Sequence, residues 1–76
     1  MGRSRVEELA DIIVNLAKRD EMGGTGRVIK DELYALGYED KEISEAISEV
    51  SSKFRVETVG NVIKVYFSKR RKVFNV

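Results

Sequence analysis

A chain of 76 residues is enough for one domain, and 14 Lys/Arg against 13 Asp/Glu leave it a formal net charge of +1. It contains no cysteine and no histidine. That excludes a disulfide framework, a thiolate metal site and the commonest general base, so no catalysis, metal or cofactor is expected.

The small total hides a separation of charge. Positions 31–52 hold seven acids (Asp31, Glu32, Glu39, Asp40, Glu42, Glu45, Glu49) against the single base Lys41, a balance of −6. Positions 53–76 hold seven bases (Lys53, Arg55, Lys64, Lys69, Arg70, Arg71, Lys72) against Glu57, a balance of +6. Poles this distinct in a near-neutral chain point to binding by one of them. No apolar run approaches the roughly 18 residues of a membrane span. The start, Met1 to Val6, has neither a signal-peptide core nor the Ser/Thr that myristoylation favours at position 6, so a cytoplasmic protein is expected. Abundant Lys, Arg and Glu without Cys or Gln is a composition that suits a thermophile.

The first helix is predicted over 4–20. Ser4 and Glu7 have capping-box spacing, and Val6, Leu9, Ala10, Ile13, Leu16 and Ala17 recur on one face. Lys18 and Arg19 fall in the last turn, where cations suit the helix dipole. Met22 to Gly26 reads as a turn; it lacks the Gly-Lys-Ser/Thr ending of a phosphate loop. A short β-branched strand is expected over 27–29. A second helix over 31–36 is stopped by Gly37, which is free to take the left-handed conformation.

A third helix is expected over 39–53. At 100° per residue, Ile43, Ala46, Ile47, Val50 and Phe54 face the core, while Lys41, Glu45, Ser48 and Ser52 lie opposite. The last element is a hairpin over 55–68 turning at Gly60-Asn61. That turn pairs Val59 with Val62, Thr58 with Ile63, Glu57 with Lys64, Val56 with Val65, and Arg55 with Tyr66. Val56, Thr58, Ile63, Val65 and Phe67 would then close over the helices. The other face would carry a Glu57–Lys64 charge pair and an Arg55–Tyr66 pair. A basic and apolar tail, 69–76, follows.

Helix, short strand, helix, helix, hairpin in one α+β domain (1–76) resembles the winged helix-turn-helix superfamily from Ser4 to Phe67. The stretch Leu36-Gly37-Tyr38-Glu39-Asp40-Lys41-Glu42-Ile43, followed by Ile47 and Val50, looks like that family's Leu-Gly turn leading into a recognition helix. Small archaeal winged-helix regulators and the winged-helix domains that end archaeal minichromosome-maintenance helicases are similar. The resemblance implies duplex DNA as partner, a recognition helix over 40–53 and a wing tip over 59–62. It also implies a transcription regulator or chromosome-associated factor.

The third helix departs from that pattern. It offers Lys41, Ser44, Ser48, Ser51 and Ser52 among Glu42, Glu45 and Glu49, where base readers are commonly Arg, Lys, Asn or Gln. The basic pole is the better candidate. Lys69, Arg70, Arg71 and Lys72 suit phosphates without demanding a base sequence, unless the run is only a solvated tail. Arg55, Lys64 and Tyr66 share the exposed hairpin face, where Tyr66 either covers Arg55 or stacks on a base. Arg3, Arg5, Arg27 and Lys30 join them if the fold brings them near. Val73 to Val76 is apolar and suits a return to the core, a longer last strand or a second subunit. The rival reading is a protein–protein interaction module using the acidic helices or the tail. A homodimer fits either reading and is required for a pseudo-palindromic site.

Overall fold

The computed structural model describes residues 4–67. The elements run α1 (Arg5–Arg19), β1 (Thr25–Ile29), α2 (Lys30–Ala35), α3 (Asp40–Ser51), β2 (Arg55–Val59) and β3 (Val62–Tyr66). Three helices therefore pack with one antiparallel sheet of order β1-β3-β2. Every helix and strand expected from the sequence is present among the described residues, with no end displaced by more than two residues.

Local chemistry sets the helix ends. Ser4 Oγ accepts the Glu7 backbone N–H (3.1 Å), and Glu7 returns a carboxylate oxygen to the Ser4 N–H (3.3 Å), closing the capping box that starts α1. Helix α2 ends in a Schellman arrangement. The Gly37 N–H donates to Tyr34 O (2.9 Å) and the Tyr38 N–H to Leu33 O (3.2 Å), with Gly37 at φ 98°. The resulting sharp turn delivers the chain to α3 and swings Tyr38 inward, where it is 9% exposed.

The hairpin has the predicted register, from Val59 opposite Val62 to Arg55 opposite Tyr66. Strand β1 adds to the far side of β3 and is longer than expected, because Thr25 and Gly26 pair with Tyr66 and Val65. The glycine-rich segment before it closes a tight turn in which Met22 and Thr25 exchange two backbone hydrogen bonds (2.9 and 3.2 Å). Gly26 is required by contact rather than by φ. A Cβ there would lie 1.9 Å from Ala17 O, so β1 crosses the end of α1 backbone to backbone.

The core joins Leu9, Ile13 and Ala17 of α1 to Val28, Leu33, Ile43, Ala46, Val50, Ile63 and Val65. Each large apolar side chain among them stabilises the fold by about 1.5–3 kcal/mol through burial. The expected α1 stripe is in place, and Ile12 and Val14, outside that stripe, also pack against the core. On the hairpin, Ile63 and Val65 are buried and Val56 and Phe67 half-buried, but Thr58 is exposed. Strand β2 is the sheet edge beyond β3, and α3 covers less of it than the period-two alternation implies.

Candidate nucleic-acid interface

Alternation along the strands separates the sheet into two faces. Gly26, Val28, Ile63 and Val65 point inward to the helices. On the outer face the paired rows across β1, β3 and β2 are Thr25–Tyr66–Arg55, Arg27–Lys64–Glu57 and Ile29–Val62–Val59. Arg27, Lys64, Arg55 and Tyr66 thus share one surface. A shallow hollow there is lined by Met22, Thr25, Arg27, Lys64 and Tyr66. Arg27, only a conditional member from sequence, belongs because β1 pairs with β3.

The expected Arg55–Tyr66 pair is a cation–π contact, with the guanidinium carbon 5.5 Å from the ring centroid. Glu57 and Lys64 are cross-strand partners on the outer face as expected, but no ion pair joins them. Glu57 instead accepts the Tyr66 hydroxyl at 2.8 Å, and that bond to a carboxylate raises the Tyr66 pKa and keeps it a neutral donor. Among the described residues, neither Arg55 nor Lys64 is ion-paired with a carboxylate. Arg27 is partly compensated by Asp20, whose Oδ2 accepts the Arg27 backbone N–H (3.1 Å) and lies 3.8 Å from Nε.

Lys41, Ser44 and Ser48 lie exposed on α3. Since the outer sheet face points away from the helices, these three are not brought together with Arg55, Lys64 and Tyr66. Ser51 and Ser52 donate their hydroxyls to their own helix, to Ser48 O (3.1 Å) and Glu49 O (2.7 Å). Glu42 is turned away from the exposed face of α3 towards α1. Its carboxylate takes two bonds from the Arg5 guanidinium (2.6 and 3.2 Å) and one from the Glu39 backbone N–H (3.0 Å). The Arg5 bond first, then the Glu39 N–H, hold the Glu42 pKa down to about 2.

Arg5 also donates to Gly37 O (3.1 Å) and covers the Tyr38 ring at 4.7 Å, so it is not part of the basic surface. This tie between residues 37 positions apart has no local sequence signal. Lys30 begins α2, half-buried. The β2–β3 turn is held down too: Asn61 Nδ2 donates to Asp31 Oδ1 (2.9 Å), and Asn61 O accepts the Lys30 N–H (2.8 Å). Lys69, Arg70, Arg71, Lys72, Arg3 and the Val73–Val76 segment lie outside the described residues.

Among the described residues no group of three or more His, Cys, Asp or Glu side chains is placed to hold a metal ion. No helix among them is long and apolar enough to cross a membrane. No protein-family model, curated protein or solved structure matches the chain.

Proposed function

We propose that the protein is a non-enzymatic winged helix-turn-helix protein that binds duplex DNA, as a transcription regulator or chromosome-associated factor. It grips phosphates with the outer sheet face and its basic tail rather than reading bases with α3. The observation that carries this reading is that exposed Arg55 and half-buried Lys64 share the outer sheet face with Arg27 and Tyr66, with no ion pair to a carboxylate for Arg55 or Lys64 among the described residues. Cations left unneutralised in this way suit a polyanion and release its counterions on binding. The element order α1-β1-α2-α3-β2-β3 and the sheet order β1-β3-β2 support the winged-helix assignment.

Helix α3 contributes less to this reading. Lys41, Ser44 and Ser48 can approach DNA, but Glu45 shares the exposed side and would oppose a phosphate. A fluorescence titration of labelled duplex at two salt concentrations tests the proposal. Binding that weakens steeply with salt supports it; no binding even at low salt removes it.

The second reading, a protein-interaction module, is favoured by one surface. Tyr34 and Leu36 are 40% and 58% exposed beside Asp31, Glu32, Glu39 and Asp40, an apolar patch with an acidic border. The Tyr34 hydroxyl donates to Asp40, which raises its pKa and fixes the ring at the α2–α3 junction.

A further inference from the structure

The two edges of the sheet differ in how their backbone groups are used. The Phe67 N–H donates to Gly24 O (2.7 Å) and the Lys30 N–H to Asn61 O (2.8 Å), so the odd-numbered positions along β3 bond towards β1. Val62, Lys64 and Tyr66 therefore bond towards β2, to Val59, Glu57 and Arg55 opposite them. At the β1 edge the outward groups of Thr25 and Arg27 are taken. Thr25 exchanges two bonds with Met22, and the Arg27 N–H donates to Asp20 Oδ2 (3.1 Å). At the β2 edge the outward groups belong to Val56 and Thr58, and among the described residues nothing bonds to them.

An edge left open in this way is a template for another strand, and its side chains select which. We propose that β2 pairs antiparallel with β2 of a second copy, about a two-fold axis through Val56. In that register Val56 exchanges both backbone bonds with Val56 of the copy. Arg55 then lies opposite Glu57 of the copy, once on each side of the axis, in the pairs whose side chains approach most closely. Moving the axis to Arg55 or to Glu57 sets like charges directly opposite, and moving it to Thr58 sets Glu57 against Val59.

Both charges are placed for this use. Arg55 and Glu57 are exposed, and within β2 only Val56 is half-buried, so α3 leaves the edge accessible. Glu57 gives Oε1 to the Tyr66 hydroxyl, which leaves Oε2 to accept. Arg55 meets the Tyr66 ring by a cation–π contact, which consumes none of its N–H donors. The axis keeps both outer sheet faces on one side. The two Lys64 residues then stand about 14 Å apart with both β2 strands between them. The pairing does not depend on what that surface binds.

The test uses the full chain without nucleic acid, so its failure and a failure to bind DNA are separate results. A small edge interface associates weakly. In sedimentation equilibrium the mass should rise from 8.6 kDa towards ~17 kDa between ~10 µM and ~1 mM, while the Val56 amide gains protection from exchange. Arg55→Glu alone and Glu57→Lys alone should each stay monomeric, because like charges then meet across the axis. An equimolar mixture of these two variants, or a chain carrying both changes, should associate again. Both positions are exposed, and an amide spectrum unchanged in the core reports that each variant is folded. A mass of 8.6 kDa at ~1 mM for the native chain would overturn the proposal. So would a dimer that survives either single reversal, or a mixture that stays monomeric.

Discussion

Replacing Gly26 with Ala should destabilise the fold severely. The new Cβ would lie 1.9 Å from Ala17 O, 2.5 Å from Ala17 C and 2.9 Å from Ala17 Cα. All three atoms are backbone, so no rotamer change relieves the clash. Restoring an ordinary contact of 3.4 Å requires α1 and β1 to separate by about 1.5 Å. That movement would loosen Ala17, Val28 and Val65, all essentially inaccessible to solvent. Overpacking of this kind costs about 1–3 kcal/mol when side chains can yield, and a backbone clash belongs at or above ~3 kcal/mol. A domain of this size has only about 4–11 kcal/mol in total. A loss of ~3 kcal/mol lowers Tm by roughly 12–24 °C. The assay is urea and thermal unfolding followed by circular dichroism, with Gly23→Ala as control. Gly23 has φ 62°, but a methyl group added there would meet nothing within 4 Å, so its cost is confined to backbone strain of about 1–2 kcal/mol. If Gly26→Ala costs no more than Gly23→Ala, the close crossing of α1 and β1 is wrong.

Three further outcomes are expected. Glu42 titrates near 2 in the folded protein against an ordinary value of 4.5, so its stabilising effect is complete above about 4.5 and is lost as pH falls towards 2. The gap in urea midpoint between the native chain and Glu42→Gln should therefore be constant at neutral pH and close between those values; a pH-independent gap would contradict the Arg5 tie. Neutralising Arg27, Arg55 and Lys64 together to Gln should weaken all duplex sequences about equally and reduce the logarithmic salt slope by about 3. An unchanged slope would exclude the sheet face. Glu45→Lys should leave DNA affinity equal or higher, whereas loss of a protein partner with DNA binding unaffected would favour the interaction module.

Much of the fold is legible in the sequence because its signals are local. Gly60-Asn61 with alternating flanks determines the hairpin register, Ser4 and Glu7 mark the start of α1, and Gly37 marks the end of α2. Strand β1 is legible only in its β-branched half. Thr25 and Gly26 look like loop, and only pairing with β3 and contact with Ala17 make them strand. Alternation places Thr58 in the core, but it carries no information about where α3 stops covering β2. For the candidate site, the sequence locates the exposed hairpin face but not its third cation, since Arg27 joins only through sheet pairing. Glu42, an acid on the third helix that would oppose DNA, is held by Arg5, a partner no periodicity connects to it.

Amide chemical-shift mapping of the isotope-labelled full chain during titration with a short duplex tests the central claim most directly. The account predicts shifts at Arg27, Arg55, Lys64 and Tyr66, with smaller ones at Lys41, Ser44 and Ser48. Shifts confined to α3 would contradict it, as would shifts confined to Tyr34 and Leu36 or none at low salt.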